Sequence, residues 1–98
     1  MTNNFLPKVM NPNTGCGKIL IDMYVTEDVV SGEDYCDIRN GRPFIGYNAN
    51  ARLSELLGLG FVEKVGLRKN QMLGGQPMFE YKITFSGIER AKYLISLL

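Results

Sequence analysis

Two stretches decide the fold: ARLSELLGLGFVEK at residues 51–64 and YKITFSGIERAKYL at residues 81–94. In the first, Leu53, Leu56 and Leu57 recur at three- and four-residue intervals, the apolar stripe of an amphipathic helix. Gly60 stands where a left-handed C-terminal cap belongs. Gly58 lowers the helical preference of the last turn by about 1 kcal/mol relative to alanine. The spacing predicts a helix over residues 47–59 whose first turns are polar and small: Asn48, Ala49, Asn50, Ala51 and Arg52. Residues 61–68 then read as a strand. Residues 78–85 read as a second, with Phe79, Tyr81, Ile83 and Phe85 on one face. Residues 69–77 join them through Gly74 and Gly75, which predicts a β-hairpin with a long tip. Ser86 and Gly87 open a last helix, striped by Ile88, Ala91, Leu94, Ile95 and Leu98.

Upstream, Ile19, Leu20, Met23 and Tyr24 mark a helix from Cys16 to about Glu27, capped by Asn13 or Thr14. Val29 and Val30 are too short a β-branched stretch for more than an edge contact. Ser31, followed by Glu33 and Asp34, has the pattern of a second helix start, with Tyr35, Cys36 and Ile38 inward and Asn40-Gly41 as its stop. Residues 1–15, rich in Asn and Pro, form an N-terminal arm; residues 16–98 form one domain of helix, helix, helix, strand, long turn, strand, helix. Ninety-eight residues at 45% hydrophobic and 21% charged suit one small α+β domain. No apolar run approaches the roughly 18–20 residues that span a bilayer, and residues 1–10 carry no secretory signal pattern. A cytoplasmic protein is expected.

The net charge of +1 hides an asymmetry. Residues 1–40 carry three basic and six acidic side chains; residues 41–98 carry eight basic and four acidic. The C-terminal half therefore suits a polyanion partner. The chain has no histidine and two cysteines, which excludes a four-ligand zinc site of protein side chains and removes the commonest general base. Gly15-Cys-Gly-Lys18 looks faintly like a phosphate loop, but Pro12 and Ile19 stand where that pattern needs Gly and Ser or Thr. Cys16 and Cys36 are expected as buried thiols. No enzyme, metal or cofactor is expected.

The stretch at 51–64, followed some 20 residues later by the stretch at 81–94, resembles the third helix, wing strands and final helix of winged helix-turn-helix proteins. These include small regulators of bacteria, phages and archaeal viruses. The resemblance covers residues 16–95 and implies a three-helix core, a β-hairpin wing and a C-terminal helix. It implies double-stranded DNA as partner, with the third helix in the major groove. Mapped here, Tyr47, Asn48, Asn50 and Arg52 would meet the groove; asparagine suits adenine, and arginine suits guanine or a phosphate. In the wing, Arg68, Lys69, Asn70, Gln71 and Gln76 would reach phosphates or the minor groove, and Arg42 would grip the flanking backbone. The implied function is transcriptional regulation by a homodimer, with Tyr93, Leu94, Leu97 and Leu98 at the interface. The connection at 40–46 is longer than the family's compact turn, and it carries Phe44 and Ile45. These residues, with Met72 and Leu73 at the wing tip, favour an alternative: a winged-helix module that holds a protein through that tip and binds no DNA.

Overall fold

The computed structural model describes residues 11–36, 41–69 and 74–98. Within them lie three α-helices and one antiparallel hairpin: α1 (Gly15–Thr26), α2 (Ala49–Gly58), β1 (Val62–Lys69), β2 (Pro77–Ile83) and α3 (Phe85–Ser96). The domain is α+β, with α1 packed on both α2 and α3. Between the two cap residues that the sequence offers for α1, Thr14 takes the role: its hydroxyl accepts the Gly17 N–H at 3.2 Å. The helix buries Cys16, Ile19, Leu20 and Met23 on one face. These side chains meet Leu53 and Leu56 of α2, Ala91 and Leu94 of α3, and Val30, Tyr35, Phe61, Val62 and Tyr81 in a single core.

The expected second helix is, in the described residues, a single 3-10 turn (Gly32–Tyr35). Its start keeps the expected logic, since the Asp34 carboxylate accepts the Ser31 N–H at 2.9 Å. It stops because the carbonyl of Tyr35, which a continuing α-helix would offer one turn onward, accepts the Ile45 N–H at 2.8 Å instead. The Cys36 thiol adds a bond to the Gly46 carbonyl at 3.0 Å. Packing against Ile45 thus takes a backbone acceptor that the next helical turn would use. Ile38 and Asn40 lie outside the described residues.

A second 3-10 turn (Gly46–Asn48) leads into α2, which begins two residues later than the spacing predicts. Gly60 caps its end at φ +81, and the Phe61 N–H bonds back to the Leu56 carbonyl at 3.0 Å. In the hairpin Val62 pairs with Ile83 and Lys64 with Tyr81; the register slips between Lys64 and Gly66 and resumes with Gly66 opposite Glu80 and Leu67 opposite Phe79. Val30 makes the short edge contact expected of it, exchanging both backbone bonds with Tyr81 at 2.9 and 2.7 Å. β2 ends at Ile83, so Phe85 opens α3 and stands exposed instead of continuing the strand face. The reason is Thr84, whose hydroxyl accepts the Gly87 N–H at 3.1 Å and donates to the Gly60 carbonyl at 2.7 Å. Gly87 has to be glycine, because a Cβ there would collide with the Phe61 carbonyl. No helix among the described residues is long and apolar enough to cross a membrane.

Candidate nucleic-acid interface

The start of α2 is uncovered. Tyr47 is fully exposed, and Asn48, Asn50 and Ala51 are exposed beside it. The helix is anchored instead by Ala49, Leu53 and Leu56, which are wholly buried. Asn50 does touch the rest of the chain: a Cβ on Gly32 would collide with its amide, so the acidic 3-10 turn lies directly against α2. Arg52 is turned back along its own helix. Its guanidinium lies 3.0 Å from the Glu55 carboxylate, which also accepts the Cys16 thiol at 3.0 Å.

The other two arginines of the expected interface are engaged more heavily. Arg42 bonds Asp22 at 2.7 Å and Asp28 at 2.6 Å, with its side chain 18% exposed. Asp22 in turn accepts the hydroxyl of the wholly buried Tyr35 at 2.8 Å. Burial, then the hydrogen bond to Asp22, push the Tyr35 phenol well above the ordinary tyrosine range. Arg68, on β1, donates from Nε to Glu80 at 2.9 Å and from Nη1 to Asp34 at 3.0 Å and to Glu33 at 3.4 Å. Its Nη2 reaches the Val29 carbonyl at 3.4 Å. Partial burial disfavours its charge, but Asp34 and Glu80 outweigh that and hold its proton more firmly than usual.

The remaining expected contacts sit on the hairpin. Lys69 is exposed at the end of β1, in register with Pro77, and Gln76 is exposed just before β2. Asn70, Gln71, Met72 and Leu73 lie outside the described residues. Lys18, Lys69 and Lys82 make no ion pair among the described residues. Lys64 lies over the Phe79 ring, 3.8 Å from its centre, on a hairpin face where Leu67 and Phe79 pair and stay exposed.

Sequence reasoning assigns the arginines outward and so misses these pairings. The signal for them is the charge split itself: an acidic N-terminal half and a basic C-terminal half of one small domain can neutralise each other. The expected dimer residues also need correcting. Leu94 is wholly buried against α1 inside the chain's own core, so it offers no surface. Tyr93 is exposed beside Phe61, Phe85, Glu89 and Arg90, whereas Leu98 lines a different groove with Ile21, Val25, Pro43 and Phe44. Leu97 is exposed near the end of α3.

Both cysteines are free thiols; Cys16 is buried and Cys36 half-buried, its thiol pushed up by burial and then by Glu33. Among the described residues, no group of three or more His, Cys, Asp or Glu side chains is arranged to hold a metal. Comparison with protein-family models, with curated proteins and with solved structures finds no match.

Proposed function

We propose that the chain is a winged-helix protein that binds double-stranded DNA by laying the start of α2 in the major groove. The observation that carries this reading is the exposed polar group Tyr47, Asn48 and Asn50 at the head of a helix whose other face is buried in the core. Asn48 and Asn50 carry the side-chain chemistry for the adenine edge, and Ala51 lets the backbone approach. The hairpin is the wing, with Lys69 and Gln76 as its contacts to the backbone. The regulator acts in the cytoplasm as a homodimer, and Tyr93 of α3 with Leu97 and Leu98 just past its end are the exposed residues available to it.

The salt dependence tests this. Only contacts that release counterions steepen the slope of log K against log salt, by about 0.9 per phosphate. Arg42, Arg52 and Arg68 already have carboxylate partners, so these three should add little to the slope. Fluorescence polarisation with a mixed-sequence duplex, titrated up from about 50 mM salt, should give measurable but weakly salt-dependent binding. Replacing both Asn48 and Asn50 with alanine should leave the fold intact and weaken a selected site by roughly tenfold or more. Absence of binding by folded protein at low salt removes the DNA reading.

A second reading has its own observation: Val65, Leu67 and Phe79 leave an apolar patch open on the hairpin. In that reading the wing holds a protein. Serine at Leu67 and Phe79 would then abolish partner capture and leave duplex titrations unchanged.

A further inference from the structure

We infer that the acidic turn Gly32–Tyr35 is an internal competitor for the wing's arginine, so that the chain holds part of its polyanion-binding surface neutralised by its own side chains. The inference rests on the duplex-binding reading above.

Arginine recognises a phosphate with the planar fork of N–H donors on its guanidinium. In Arg68 that fork is filled from within: Nε by Glu80, Nη1 by Asp34 and Glu33, and Nη2 by the Val29 carbonyl. These partners are held in place. Asp34 also accepts the Ser31 backbone N–H, and its side chain and that of Glu33 are only 19% and 10% exposed. The turn that carries them packs against Asn50 at the head of α2. One cluster therefore does two things. It occupies the wing's arginine, and it keeps two carboxylates beside the proposed groove-reading turn from facing DNA uncompensated. A phosphate that takes Arg68 has to displace Glu33 and Asp34. The register slip between Lys64 and Gly66 gives β1 a place to bend, with Arg68 on the outer side of it. Binding through the wing is then an exchange of carboxylate for phosphate, and anything that occupies or neutralises the acidic turn raises affinity for DNA.

The test is duplex binding by the double variant Glu33→Gln, Asp34→Asn, with and without Arg68→Ala, each checked for folding by thermal melting. Asparagine keeps the acceptor for the Ser31 N–H. The double variant should bind about tenfold tighter at low salt, the worth of one charge-assisted hydrogen bond, with a slope steeper by about 0.9. Adding Arg68→Ala should erase both gains. Wild-type binding that the double variant leaves unchanged overturns the competitor and spares the duplex reading. A gain that survives Arg68→Ala also overturns it, since general loss of negative charge then explains the effect. Duplex binding by the double variant alone supports it. No binding by either protein overturns it together with the duplex reading. If the double variant does not fold, Glu33→Gln alone carries the same test with a smaller gain, because Asp34 and its bond to Ser31 stay in place.

Discussion

The head of α2 and the segment from Asp22 to Asp34 are both polar surface, and they are built on opposite plans. At the head of α2, Tyr47 and Asn48 project into solvent while the helix behind them is pinned by Ala49, Leu53 and Leu56. Along the acidic segment almost every charge meets an arginine from elsewhere in the chain: Asp22 and Asp28 meet Arg42, and Glu33 and Asp34 meet Arg68. The first region is exposed polar surface on a helix anchored in the core. The second is satisfied internally, and its polar groups work for the fold. Composition treats the two alike. Only the partners of each side chain separate them, and the difference makes predictions.

The largest expected effect is on stability, from breaking the acidic segment. Arg42→Ala leaves Asp22 and Asp28 side by side without their cation, with Asp22 largely buried. Removing one partner of a buried pair costs 3–5 kcal/mol, and partial exposure here reduces that to about 2–3 kcal/mol. For a domain of this size thermal melting should show a Tm lower by roughly 10–20 °C. A drop of only a degree or two would mean that Arg42 is a solvated surface cation, free for DNA after all. Substituting Tyr47, by contrast, should leave Tm unchanged.

A smaller effect separates the core side of the same cluster from its surface side. Tyr35→Phe keeps the buried ring and removes one hydroxyl donor to Asp22, which should cost about 1–1.5 kcal/mol at neutral pH. Its sharper signature is alkaline. The folded phenol holds its proton above the unfolded value of 10.0 because it is buried and because it donates to Asp22. Above about pH 10 the unfolded chain therefore binds fewer protons than the folded one, and stability falls as pH rises. Urea titrations between pH 8 and pH 11 should show that extra decline in the wild type and its absence in the phenylalanine variant.

Much of this architecture was legible because it rests on local chemistry. Gly60 as a left-handed cap, the alternation that buries Tyr81 and the stripe of α3 all depend on residues within a few positions of one another. The apolar stripe of α2 was legible in the same way, although the helix begins two residues later than the spacing predicts, after a 3-10 turn. The second helix was misread because Ser31, Glu33 and Asp34 do start a helical turn, but Ile45 then takes the Tyr35 carbonyl. The internal partners of the arginines were not legible, for the same reason at longer range. Arg68 meets Asp34 across 34 residues and Arg42 meets Asp22 across 20, distances over which periodicity carries no information. Leu94 fits an α3 stripe, but whether that stripe faces α1 or a second chain is decided by packing alone.

The smallest effect concerns how the acidic segment is turned. α1 ends at Glu27, a non-glycine residue at φ +60. The left-handed conformation costs a residue with a Cβ roughly 1–2 kcal/mol. Here it reverses the chain so that Asp28, just past the helix, reaches the same guanidinium as Asp22, six residues earlier. The same residue caps the helix, its N–H bonding back to the Met23 carbonyl at 2.9 Å, so the strain serves both the helix end and the cluster. Glu27→Gly relieves it and adds chain entropy to the unfolded state worth about 0.5–1 kcal/mol. The two nearly offset, with a net stabilisation of about 0.5 kcal/mol. Urea denaturation should show a slightly raised midpoint at unchanged slope. A lowered midpoint would assign the Glu27 side chain itself to holding Asp28 in place, and Arg42→Ala should then erase the difference between Glu27 and Gly. Because Glu27 is exposed and removed from Asn48 and Asn50 in sequence, duplex binding should not move in either case. The two regions would then be separable in energy as well as in structure.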